Sequence, residues 1–298
     1  MRKIPGENLT VNGKSNKNKT STRGKMFGYQ VLGFGAGGPS FVGMTATGGT
    51  ITTDGKFQIH TFTGNGTFCV SALSPDPAAN VVDYVIVGGG GAGVHGGGGA
   101  GGFRESPGSS TCYTASPLGQ SPAAAIPISV QGYPIVVGAA GGPPLSGTVG
   151  DNGSPSSGFS LTSAGGGGGG GRDENGAPGG SGGGAGDFSG SSGGFGNQPS
   201  VDPPQGTDGG AGGSPTENGG GGGGATAAGT GAPGGGTAGV GATSGITGSS
   251  VVYAQGGRGD GGTAWSAPQA NKGFGGNSSC GSTGGGTNGV VIIRFKVS

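Results

Sequence analysis

The sequence predicts an all-β protein in which short strands nucleate a bundle or sandwich of polyglycine II-type helices, preceded by an extended N-terminal anchor. Three observations predict it. Glycine fills 86 of the 298 positions and proline 19, against roughly 7% and 5% in ordinary chains, which removes most enzyme folds. Hydrophobic residues make up 29% and charged residues 9%, where globular domains run near roughly 45–50% and 25%, so side chains alone supply the core of a much smaller domain. The apolar residues that exist collect in β-branched or alternating runs beside the glycine tracts.

Taken in order, residues 1–25 form a basic arm. Arg2, Lys3, Lys14, Lys17, Lys19, Arg23 and Lys25 face a single acid, Glu7, and such a polar segment orders only against a partner. Residues 26–50 bring the first apolar groups, among them Phe27, Tyr29 and Phe34, and read as an anchor segment. The β and polyglycine-rich domain then occupies 51–298. Asp54-Gly55 is a turn, and Lys56 to Phe62 alternates, with Phe57, Ile59 and Thr61 on one face and Gln58, His60 and Phe62 on the other. Asn65-Gly66 reads as a hairpin turn into Thr67–Val70, giving two antiparallel strands. Val81–Val87, Pro134–Val137 and Gly289–Val297 are further strands. The stretch 103–132 is long for a connection and reads as a surface elaboration or a contact with another subunit.

Between these runs lie glycine tracts at 88–102, 165–186, 209–241 and, more loosely, 256–289, with an imperfect three-residue phase such as Gly90, Gly93, Gly96, Gly99 and Gly102. An extended left-handed three-residue helix makes no internal hydrogen bonds. Several laid side by side pair their backbone groups only where no Cβ holds them apart. A tract such as 88–102 is expected to form one rod of about 46 Å. Ordering glycine costs more backbone entropy than any other residue, so the adjoining strands have to supply the nucleus.

Little in the sequence points to chemistry. Cys69, Cys112 and Cys280 are scattered and odd in number, which indicates neither a disulfide framework nor a zinc site. There is no apolar run of 18 residues, and the basic start lacks the apolar core of a secretory signal. His60 and His95 have no partners in sequence that would make a triad, so no enzymatic activity, cofactor or metal is expected. Gly-Gly-x-Gly-Asp at 183–187 and 256–260 places aspartate one residue early for a calcium repeat. Arg258-Gly259-Asp260 spells an adhesion tripeptide that glycine-rich sequence throws up by chance.

The order ITTDGKFQIHTFTGNGTFCV (51–70), VVDYVIVGGGGAGVHGGGGAGG (81–102), YPIVVGAAGG (133–142), NGSPSSGF (152–159) and NGVVIIRF (288–295) resembles the glycine-rich domain of tailed-bacteriophage virion proteins, tail-fibre adhesins included. The resemblance implies a virion structural protein on the tail or capsid surface, whose loops contact a host polysaccharide or outer-membrane protein. The basic arm with Phe27, Tyr29 and Phe34 then becomes the virion anchor, held by other virion proteins, in a homo-oligomeric assembly without nucleic acid. Candidate recognition residues are Trp265, Phe274, Arg258, Asp260, Phe188 and Phe195, whose aromatic rings and charges suit a sugar or protein surface. The plainer reading of Trp265 and Phe274 is that they cap the apolar end of the bundle. A capsid decoration or cement subunit is the alternative role. An ice-binding protein is the distant one, and it would need regularly spaced threonines that this chain lacks.

Overall fold

The computed structural model describes residues 41–119, 125–142, 148–187, 190–213, 218–231, 234–262, 270–279 and 282–298. The basic arm and Phe27, Tyr29 and Phe34 lie outside them. The described strands are β1 (Thr45–Thr47), β2 (Thr50–Asp54), β3 (Phe57–Phe62), β4 (Gly66–Ala72), β5 (Val81–Val87), β6 (Phe103–Glu105), β7 (Ile126–Pro127), β8 (Gly132–Ile135), β9 (Ser156–Gly158), β10 (Leu161–Ser163), β11 (Ala242–Ser244), β12 (Val251–Tyr253), β13 (Ser278–Ser279), β14 (Ser282–Thr283) and β15 (Val290–Lys296). One 3-10 turn, Pro77–Ala79, interrupts them. The architecture is all-β and antiparallel. Among the described residues no helix is long and apolar enough to cross a membrane.

The chain closes on itself at β15, which inserts between β3 and β5 and makes the order β2-β3-β15-β5-β6, with β7 also paired to β5. Insertion buries both faces of β5 and β15, and their near-continuous Val/Ile runs are the signature of that position. On one face Tyr84, Ile86, Val291, Ile293 and Phe295 pack against Phe68, Val70 and Ile135 of a second, three-stranded sheet ordered β1-β4-β8. On the other, Val85, Val87, Val290 and Ile292 pack on Phe103, Ile246 and Tyr253. Ile59 falls in the second cluster and Phe62 in the first, as alternation along β3 requires.

Two expectations are corrected here. Asn65-Gly66 does not close a hairpin, because β3 pairs with β2 and β15 while β4 crosses to the other sheet to pair with β1 and β8. The asparagine serves as a corner instead, its Oδ1 accepting from the Val137 N–H at 2.9 Å. The compact unit begins at Val42, with Met44 and Ala46 already in the core. The last part of the expected anchor segment therefore belongs to the β domain.

Beyond the sheet, backbone replaces side chain. The tract 88–102 reverses at Val94 and His95, so it is two antiparallel legs rather than one rod: Gly88, Gly91 and Val94 donate to Gly102, Gly99 and Gly96. Bulky residues mark the reversal because an interior position has no room for them. Around the second leg the partners rotate with a three-residue period. Gly96, Gly99 and Gly102 donate to Gly170, Gly167 and Ala164; Gly97 and Ala100 donate to Gly220 and Gly223; Gly98 and Gly101 donate to Gly276 and Gly273. Its carbonyls accept from the first leg, from Gly184 and Ser181, and from Gly257. Six segments thus surround one, through bonds of 2.7–3.0 Å. A Cβ on Gly98 would fall inside the contact radius of the Gly91 carbonyl oxygen. Where strand passes into leg, the Ser156 and Ser163 hydroxyls donate to the Val87 and Ile86 carbonyls at 2.6 and 2.8 Å, so these two carbonyls keep a donor through the change of pairing.

Candidate functional site

The legs run away from the sheet and return, which sorts the connecting turns into two sets. The set remote from the sheet includes His95, the loop after Gly170, Asp187 and Asp260; their positions follow from His95 and Gly96 donating to Gly170, and Asp260 donating to the His95 carbonyl at 2.9 Å. His95 Nδ1 lies 3.1 Å from Asp187 Oδ2 and 3.7 Å from Asp260 Oδ2. Both carboxylates are buried, whereas the imidazole is about a quarter exposed. Asp187 Oδ1 has no hydrogen-bond partner. The arrangement brings side chains from three leg ends together around His95. Among the described residues no group of three or more His, Cys, Asp or Glu is disposed to hold a metal ion.

Sequence reasoning missed this cluster, because its members come from three different tracts and nothing local pairs them. The Gly-Asp ends of 183–187 and 256–260 were the available signal. Arg258, next to Asp260, donates from a guanidinium nitrogen to the Gly262 carbonyl at 2.7 Å. Among the described recognition candidates it is the one that is half-buried at this end.

Of the other described candidates, Asp260 belongs to this end, whereas Phe274 and Phe195 do not. Phe274 is 3% exposed and sits beside Gly273, which accepts from Gly101 near the sheet. It fills space at the base of the array, so it is corrected from a surface contact to a packing residue. Asp260 is likewise 6% exposed, held under His95 rather than displayed. Phe195 is 70% exposed, but its carbonyl accepts from Gly179 on the sheet side of the legs. Trp265 and Phe188 lie outside the described residues.

At the sheet end, a cleft of about 370 Å³ is lined by Asp54, Cys112, Tyr113, Thr243 and Arg294 among others. Arg294 is 2% exposed; its guanidinium meets Asp54 at 2.9 Å, donates to the Ile246 carbonyl at 3.2 Å and stacks 4.4 Å from the Phe57 ring centre. Behind it Asp83 Oδ2 accepts from the Thr111 N–H and hydroxyl at 2.9 and 2.7 Å. Glu105 accepts from the Ser116 N–H at 2.7 Å and from the Ser244 hydroxyl. Burial pushes the Glu105 carboxyl up, while those donors pull it back. Burial likewise raises Tyr253 to about 12. This polar network fastens the stretch 103–119 to the sheet. With Glu105, Ser106, Thr111 and Ser116 all buried, much of the stretch expected as surface elaboration is interior. A groove of about 500 Å³ beside β8 carries Tyr133 and Phe159, with ring centres 5.2 Å apart. Phe159 and Ser160 are held there at φ 54 and 63°, backbone that non-glycine residues rarely adopt.

No curated protein matches the chain in sequence. The family profile described as a glycine-rich domain matches residues 62–296, from the last residue of β3 to the last residue of β15, and therefore takes in the legs, both sets of turns and every strand from β4 onward, while β1, β2 and nearly all of β3 precede it. On that match the chain belongs to the glycine-rich domain family.

Proposed function

We propose that the legs are polyglycine II-type helices packed as a bundle, and that the bundle is a non-catalytic display platform in a tailed-phage virion. The chain is then a tail-fibre or appendage component. Its N-terminal arm, with Arg2 to Lys25 and Phe27, Tyr29 and Phe34, attaches to other virion proteins, and the turns remote from the sheet meet the host surface. The observation that carries the reading is the three-residue rotation of hydrogen-bond partners around leg 96–102. Three residues per turn is the pitch of that helix, and a body cross-bonded in this way holds loops at a fixed distance from its strand nucleus. The order of strands and tracts given above supports the virion assignment.

Immunogold labelling of intact particles with antibody to the full chain tests the location. Label at the tail is the expected result. Label confined to the shell replaces the fibre role with capsid decoration, and particles without label overturn the virion role altogether. Purified protein should also compete with particle adsorption. Failure to compete at saturation removes host recognition and leaves the structural role.

A further inference from the structure

Each edge of a β-sheet exposes a row of unpaired backbone donors and acceptors, and proteins shorten, bulge, cover or pair such edges. Nearly every edge here is handled in one of these ways. The outer side of β6 is covered: Phe103 donates to the Gln205 carbonyl at 2.8 Å, and Glu105 bridges to Gly119. β8 contains Pro134, and the residue after it, Val136, exchanges two 2.9 Å bonds with Ser157. β1 is three residues long with a register shift between Thr45 and Ala46. The two-stranded ribbons have strands of only two or three residues.

Among the described residues, β2 has none of these devices. It runs five residues in unbroken register, from Thr50 opposite Thr61 to Asp54 opposite Phe57. Thr50, Ile51, Thr52 and Thr53 are all exposed, and Ile51 is 44% exposed. Threonine and isoleucine are strong strand formers, and neither lysine nor proline guards the rim. Its one charge, Asp54, is held by Arg294.

We propose that β2 pairs antiparallel with β2 of a second copy of this chain, across a two-fold axis at Thr52, so that two six-stranded sheets become one. The sequence of the strand is self-complementary in that register. Thr52 meets its own counterpart, Ile51 meets Thr53 of the partner subunit, and Asp54 meets Thr50 of the partner subunit. Cross-strand threonine pairs are favourable, and like charges placed opposite are not. Sliding the axis to Asp54 would set the two carboxylates face to face, which disfavours that register. An isologous contact closes at two copies, and the edges left over are the protected ones, so pairing ends at a dimer instead of a fibre. A foreign strand would need some feature of its own to read, and this rim offers it no free charge.

The test is the mass of the full chain in solution, by light scattering or sedimentation over a concentration series. The expected result is a monomer–dimer equilibrium in which Ile51→Lys or Thr53→Lys raises the dimer dissociation constant by about tenfold or more, with an unchanged circular dichroism spectrum. Under mild oxidation Thr52→Cys should give a covalent dimer whose peptide map contains a 52–52 link, absent from the parent protein, while Thr50→Cys should not link to itself. A wild-type chain that stays monomeric at its highest soluble concentration overturns the proposal. So does a dimer indifferent to the lysine variants, or one in which Thr52→Cys fails to link.

Discussion

In the six-stranded sheet, Val85, Val87, Val290 and Ile292 fill one face and Tyr84, Ile86, Val291 and Ile293 the other. In the legs that leave it, neighbouring backbones occupy the equivalent space themselves. The first region excludes water with side chains and gains roughly 25 cal/mol per Å² of apolar area. The second gains little from apolar area and depends on satisfied amides, at the highest entropy cost per residue. Stability in the sheet is therefore a matter of volume present, and stability in the legs a matter of volume absent.

That contrast predicts opposite responses to substitution. Phe68, fully buried and in edge contact with His60, Phe159 and Phe295, should cost about 3–5 kcal/mol when cut to alanine, read from denaturant unfolding. Gly98→Ala adds a single methyl group yet presses on main-chain atoms that cannot rotate away. Its cost should lie toward or above the upper end of the roughly 1–3 kcal/mol of overpacking. The control is Gly64→Ala, where a Cβ would meet nothing within 4 Å, and a change within about 0.5 kcal/mol is expected. Equal effects at Gly98 and Gly64 would mean that the legs are not closely packed in solution.

The same division explains what could be read in advance. Val81–Val87 and Gly289–Val297 were legible as strands because both faces are buried, and β3 because its alternation survives in the final packing. The partner exchange at Asn65-Gly66 was not, since the turn signal is local and β15, which takes the place beside β3, lies more than two hundred residues downstream. The reversal of 88–102 at Val94 and His95 was hidden for a related reason: glycine phase alone does not say where a tract folds back. The meeting of His95 with Asp187 and Asp260 follows from that reversal, so it was invisible as well.

A smaller effect probes the polar seam that fastens the stretch 103–119 to the sheet. Asp83 is fully buried, and Thr111 supplies both donors to its Oδ2. Thr111→Val keeps the shape and the N–H while removing the hydroxyl donor. A loss of about 1.5 kcal/mol is expected, since the bond is made to a carboxylate. If stability does not change, the stretch 103–119 is held to the sheet by packing rather than by this contact.

The smallest effect is carried by pH. His60 is buried between the Phe68 and Phe295 rings, with Nδ1 2.7 Å from the Gly48 carbonyl and Nε2 3.1 Å from Gln58 Oε1. Burial holds it below its ordinary 6.5, outweighing the hydrogen bond to Gly48. The unfolded chain therefore takes up the proton first. The contribution of His60 is complete above pH 6.5 and declines as pH falls from there toward the folded-state value. Glu105 acts with the opposite sign: its folded carboxyl is raised above 4.5, so acidification from its folded-state value toward 4.5 favours the folded state. Melting temperatures from pH 8 to pH 5 for the parent and for His60→Gln separate the two. The parent should lose stability relative to the variant below about pH 6.5, and parallel curves would show that the imidazole is solvated in the folded protein, with the interface between the two sheets open around it.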